Sequence, residues 1–286
     1  MLHWLAACKD ALKSRRLISL LILTLCCAWL LCAQGASVNQ REVAFAFSDI
    51  AGKRVISVET QAHPEVLDKC VFQSGLVFNA RFQASQKPAP DWNGRQTARY
   101  FDKNPGSVYQ IERRQARRRD ESYSGEPCLL VTAGYLRQRK LLEVRPASST
   151  RISENLLGRI ERVREKKATW AKSIARIGPA HELILLQFVP EGQTCLASLV
   201  LAAQDSLSFD DLEAKYDSST KSFVWRVDTD GIDAESFHVL AALQTKEGIE
   251  IAVLWDASEG QDLFLLKPEG AVLHQLFMSY RYWAPI

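Results

Sequence analysis

A chain of 286 residues with 36 Lys and Arg against 33 Asp and Glu, 47% hydrophobic and 24% charged, has the balance of an ordinary globular protein. That composition excludes a disordered polypeptide, and the length accommodates one large core or two ordinary ones. The net charge of +3 is small but unevenly placed along the chain.

Residues 1–36 have the layout of a secretory signal peptide. Lys9, Lys13, Arg15 and Arg16 stand against Asp10 alone, Leu17 to Leu31 carries no charge, and Cys32-Ala33-Gln34-Gly35-Ala36-Ser37 supplies small side chains at the exit. Cleavage there predicts a secreted or periplasmic protein. The apolar run over 17–33 is at the lower limit for crossing a bilayer of ~30 Å. Retained, it would anchor the chain in the inner membrane with its positive end in the cytoplasm. No later segment is apolar enough to span. Losing the signal removes Cys8, Cys26, Cys27 and Cys32 and leaves Cys70, Cys128 and Cys195. In an oxidising compartment the expected disulfide is Cys70–Cys128, because both lie in the same half of the chain. Their spacing fits no zinc pattern.

Val43-Ala44-Phe45-Ala46-Phe47 and Arg54-Val55-Ile56-Ser57-Val58 flank a turn and predict a β-hairpin. Cys70 to Phe72 and Leu76 to Phe82 predict two more strands. From Gln83 to Ser107 the apolar rhythm lapses into Pro- and Gly-rich turn chemistry. Leu129 to Val131 and Leu141 to Val144 predict strands around a basic turn at Arg137, Arg139 and Lys140. Leu156, Val163, Trp170 and Ile177 then recur every seven residues, with Ile160 and Ile174 between them. That spacing predicts one long amphipathic helix over about 151–177, capped by Thr150 or Ser153 and ended by Gly178-Pro179. Lys167 interrupts its stripe. After Pro179, short apolar runs at 183–189, 196–201, 223–227, 249–255 and 263–266 alternate with turns. They predict a β-meander or sandwich. The fold class that follows is α+β, with a β-rich N-terminal half, the long helix and a β-rich C-terminal half. The chain divides into a signal (1–36), a basic β-rich region (37–149), the helix (150–178) and an acidic β-rich domain (179–286).

Cutting at Gly178 separates the charges. Residues 37–177 hold 26 Lys and Arg and 15 Asp and Glu; residues 178–286 hold 6 and 17. Such polarity suits either an oppositely charged partner or two halves that dock on each other.

Several catalytic patterns are missing: no GxSxG elbow, Walker loop, GxGxxG or HExxH occurs. His181-Glu182 starts the last of these, but Leu185 stands at the second histidine position. Ser218-Ser219-Thr220-Lys221 has SxxK spacing inside a polar turn. The candidate binding site interleaves aromatic rings with guanidinium groups: Trp92, Arg95, Arg99 and Tyr100, followed by Arg113, Arg114, Arg117, Arg118 and Arg119. Rings stack on sugars, and Arg forks match phosphate or carboxylate. Asp228, Asp230, Asp233 and Glu235 around Gly231 form the candidate metal site, where Ca²⁺ is the cation that carboxylate oxygens suit, although the spacing departs from an EF-hand. No other cofactor is expected.

The function expected from these features is that of a non-catalytic binding protein of inhibitor, immunity or envelope-assembly type. Its expected partner is another envelope or secreted protein. Anionic lipid or glycan is the second choice, nucleic acid is disfavoured outside the cytoplasm, and membrane contact is confined to an uncleaved N-terminus. The rival readings are an envelope hydrolase acting on glycan or peptide through paired carboxylates, and an N-terminally anchored scaffold subunit.

Overall fold

The computed structural model describes residues 42–73, 75–112, 124–147, 151–225 and 232–283. The proposed signal over 1–36, the five arginines from Arg113 to Arg119, Asp228 and Asp230 lie outside the described residues.

Six antiparallel strands close a small barrel: β1 (Val43–Ser48), β2 (Arg54–Ser57), β3 (Lys69–Phe72), β4 (Val77–Gln86), β5 (Gly106–Ile111) and β6 (Pro127–Val131), in the order β1-β2-β5-β4-β3-β6. Side chains of a strand alternate between faces, and in β1, β3 and β6 both faces are apolar. Ala44, Ala46, Cys70, Ala80 and Cys128 point inward with Val55, Phe72, Tyr109 and Leu130. The alanines and cysteines leave room for Phe72 and Tyr109 in the narrow bore of six strands. Val43, Phe45, Phe47, Ile56, Val71, Val108, Leu129 and Val131 point outward yet are buried. A strand apolar on both sides requires a second layer.

That layer is part of a long curled sheet. After α1 (Ala133–Arg137) come β7 (Lys140–Leu141), β8 (Val144–Pro146), α2 (Glu154–Arg164), β9 (Ala168–Ile177), β10 (His181–Phe188), β11 (Thr194–Ala202), β12 (Leu207–Asp217), β13 (Ser222–Val224), β14 (Phe237–Thr245), β15 (Gly248–Asp256), β16 (Gly260–Glu269) and β17 (Val272–Tyr282). The strand order is β7-β14-β15-β16-β17-β12-β11-β10-β9-β8, with β13 hanging from β12. Leu141 pairs with Leu243 of β14 and Val144 pairs with Ile177 of β9. The single stretch 140–146 therefore touches both edges and draws the sheet into a curl. One joint is thin: β12 meets β17 in parallel through a single register pair, Phe209 and Val272.

Three apolar clusters make the layering explicit. Leu240, Leu243, Leu254, Leu263, Leu265 and Phe277 of β14–β17 pack on the outer face of the barrel, where the Phe45 and Phe277 rings stack at 5.6 Å. The opposite face of β14–β17 packs inside the curl against Ile177, Leu183, Leu185, Leu199 and Leu201. The outer face of β9–β12, with Ile184, Leu186, Phe188, Val200 and Phe209, is covered by Ile160 and Leu156 of α2.

This strand-dominated architecture corrects the α+β expectation, and the predicted helix over 151–177 does not exist. α2 ends at Arg164, Glu165 takes the left-handed conformation at φ 52°, and β9 begins at Ala168. Glu161 fixes the break: its carboxylate accepts from Lys167 Nζ at 2.6 Å and from the Ala168 N–H at 3.0 Å. The seven-residue spacing joined residues that serve different layers. Leu156 and Ile160 pack outside β9–β12, Trp170, Ile174 and Ile177 pack inside the curl, and Val163 is 57% exposed. Gly178-Pro179 is a hairpin turn between β9 and β10, with Ile177 paired to His181 and Gly178 at φ 54°. Glycine and proline end a helix and turn a hairpin with the same backbone angles, so the stop signal was real while the element it stopped was not. Among the described residues no helix is long and apolar enough to cross a membrane.

Candidate functional site

The predicted binding loop is pinned to the barrel. Trp92 is half-buried and its Nε1 donates to Asn104 Oδ1 at 3.0 Å. Asn104 is fully buried and donates from Nδ2 to the Tyr100 carbonyl at 2.8 Å, while Gln86 Nε2 donates to the Asn104 and Phe101 carbonyls. Lys103 ion-pairs with Asp91 and lies 6.0 Å from the centre of the Tyr100 ring. Arg281, 1% exposed, donates from Nε to the Gln96 carbonyl at 2.8 Å and tethers the loop to β17. The structure thus brings Trp92 and Tyr100 together around Asn104, with Arg99 exposed and Arg95 half-buried nearby in the chain.

Of the predicted metal ligands, Asp233 and Glu235 are described, and they do other work. Asp233 Oδ1 accepts from Lys172 Nζ at 2.9 Å and from the Glu235 N–H at 3.3 Å, capping a short 3-10 turn over Ala234–Ser236. The Lys172 ammonium holds the Asp233 carboxyl below its ordinary range. Among the described residues no three His, Cys, Asp or Glu side chains gather as a metal site would require. Cys70 and Cys128 are buried on the barrel interior, and no disulfide joins them. Cys70 faces Leu130 and Cys128 faces Phe72, so the two are diagonal neighbours. Diagonal pairs stand about 7–8 Å apart, beyond the usual reach of a disulfide. Cys195 is also buried, which pushes its thiol up to about 11.

Much of the charge polarity is spent inside the molecule. Residues 133–177 carry 12 Lys and Arg against 4 Asp and Glu, and they fold directly onto the acidic half. Arg139 grips Glu250 with bonds of 2.8 and 2.9 Å, Arg164 pairs with Asp211 at 2.5 Å, Lys166 with Glu191 at 2.5 Å and Lys172 with Asp233.

Among the concave features outside that network, two carry polar or aromatic groups of interest. The first is a cleft of about 380 Å³ where the start of α2 meets the β9–β10 and β11–β12 turns. Arg159, Arg176, His181 and Glu182 supply its titratable groups. The second is a groove of about 580 Å³ beside the β12–β13 hairpin, lined by Gln193, Thr194, Lys215, Tyr216, Ser222 and Val224. Tyr216 pairs across the hairpin with Phe223, their rings stacked at 5.1 Å, and Trp225 continues the row at 6.4 Å from Phe223. All three rings are half-buried, and Val224 is 60% exposed on the other face.

No family model, characterised protein or solved structure matches this chain. The site must therefore be judged on its own geometry. The aromatic row is hard to see in the sequence, because the polar turn at 218–221 and the run at 223–227 stand out while the strand before them does not. Tyr216, placed just ahead of that turn, was the available signal.

Proposed function

We propose that this chain is a non-catalytic binding protein that acts outside the cytoplasm and engages a protein partner through the β12–β13 hairpin. The observation that carries the proposal is the stacked row Tyr216–Phe223–Trp225 on a hairpin whose second strand, β13, has β12 as its single partner among the described residues. Flat rings offer large contact area at low entropic cost and dominate the energetics of protein interfaces. The hairpin also borders the larger groove, so a partner chain has both a platform and a recess to fill. The export step is supported by the basic, apolar and small-residue order of residues 1–36.

A C-terminally tagged chain, recovered from the envelope fraction, tests the proposal. Wild type is expected to retain a defined protein, and Phe223→Ala with Trp225→Ala to lose it by roughly tenfold or more without a change in melting temperature. Retention of the same protein by the double variant overturns the hairpin assignment. Recovery of the tagged chain solely in the cytoplasm, with residues 1–36 intact, overturns the location.

A further inference from the structure

Arg159 and Arg176 differ from Arg139, Arg145 and Arg164 in holding no carboxylate among the described residues. Arg139, Arg145 and Arg164 each hold a carboxylate at 2.9 Å or less. Arg159 instead reaches only the Ala203 carbonyl, at 3.4 and 3.5 Å from its two terminal nitrogens, longer than a good N–H···O bond. Arg176 has no ion pair within the described residues. Both line the 380 Å³ cleft, one from α2 and one from β9, and so approach it from different elements.

The wall between them is also unsatisfied. His181 Nδ1 is buried and makes no hydrogen bond among the described residues. Desolvation lowers the pKa of the ring, which favours neutral imidazole. The one carboxylate in the lining, Glu182, already accepts from Ser173 Oγ at 2.5 Å. Glu154 lies in the first turn of α2, and Ser153 Oγ accepts the Leu156 N–H, so the end of the helix is capped and is not the attracting group. What the cleft presents is two guanidinium forks from different elements, beside an imidazole that forms part of its wall.

We infer that this cleft binds an oxyanion, a phosphate or carboxylate group on a small molecule, gripped by Arg159 and Arg176 with His181 at its wall. Arginine forks match either group through paired N–H donors. The hollow is large enough for a ligand that extends beyond the anion itself. An anion seated there would also favour protonated His181 through its negative charge. This site is independent of the aromatic hairpin, so either can fail without the other.

The test is an NMR titration of the imidazole resonances, with inorganic phosphate in one arm and succinate in the other. Saturation by the preferred anion is expected to raise the pKa of His181 and to shift its imidazole resonances, while the resonances of His63 and His274 do not move. Arg159→Gln and Arg176→Gln should each weaken that response by roughly tenfold, whereas Arg162→Gln, on the exposed face of α2, should not. Response in one arm alone identifies phosphate or carboxylate as the preferred group. A His181 resonance that neither anion moves overturns the inference. So does a shift shared equally by His63, His181 and His274, or one that survives both arginine variants when their thermal unfolding matches wild type.

Discussion

Glu250 is a buried carboxylate held by three donors. Buried on β15, it accepts from Tyr135 Oη at 2.5 Å and from Arg139 Nε and Nη2, while the Arg139 guanidinium lies 3.6 Å from the centre of the Tyr135 ring. Burial and the neighbouring carboxylate push the Tyr135 phenol upward, so it stays a donor at any pH the fold would meet. A buried pair is costly to break because the survivor keeps its charge without its partner. Glu250→Ala is expected to cost about 3–5 kcal/mol in urea denaturation, and Tyr135→Phe about 1.5–3 kcal/mol for one bond to a charged group. Equal losses in the two variants would mean that the arginine contributes nothing to the clasp. Asp210 is the opposite case, since burial and the nearby Asp211 raise its pKa to about 6 from an ordinary 3.8. The folded state therefore holds this proton more tightly than the unfolded chain does. Stability is full below pH 3.8 and declines as pH rises through about 6. Asp210→Asn should remove that slope, stabilising the protein at pH 7 by about 1–2 kcal/mol once partial solvent screening is allowed for. The variant should be nearly neutral at pH 3.5, and an unchanged slope in melts between these limits would refute the assignment.

At the scale of elements, the pair Ile160 and Val163 separates the true packing of α2 from the stripe that spacing alone suggests. Both belong to that stripe, yet Ile160 is 0% exposed beneath the helix and Val163 is 57% exposed. Ile160→Ala is expected to cost about 2–4 kcal/mol, while Val163→Glu should stay within about 0.5 kcal/mol, both measured from denaturant midpoints. The same contrast explains what the sequence disclosed. The β1–β2 hairpin and the strands around Leu183, Leu196, Ile249 and Leu263 were legible because compact apolar runs sat between turn residues. The helix over 151–177 was misread because an interval of seven can be met by residues on two different elements. β12 and β17 went unseen because Asp210, Asp211, His274 and Gln275 dilute their apolar pattern. The barrel itself was illegible. Val43-Ala44-Phe45-Ala46-Phe47 states that both faces are buried, but not which face encloses the bore. The candidate cleft was equally hidden, since Arg159, Arg176 and His181 meet only after β9 turns back at Gly178. Nothing in their spacing announces that meeting.

For the whole molecule, the decisive feature is that the barrel and the curled sheet share an apolar layer. Phe45, Phe47, Leu129 and Val131 on one side and Leu240, Leu254, Leu265 and Phe277 on the other form one cluster. Neither body can expose its half without presenting a row of large side chains to water, a cost of roughly 1.5–3 kcal/mol for each fully buried residue. The Tyr135–Glu250–Arg139 clasp crosses between the connection after β6 and β15 and adds a polar lock to the same joint. Unfolding is therefore expected to be a single event, with amides of β1 and β6 exchanging hydrogen at the same opening free energy as those of β14 and β15. Phe277→Ala probes this directly, because Phe277 belongs to β17 but stacks on Phe45 of the barrel. A coupled molecule loses about 3–5 kcal/mol of protection in both bodies together. A decoupled one loses it only around β16 and β17, leaving the protection of Ala44 and Leu130 unchanged. The barrel would in that case be an independently stable body, and the shared layer a contact rather than a common core.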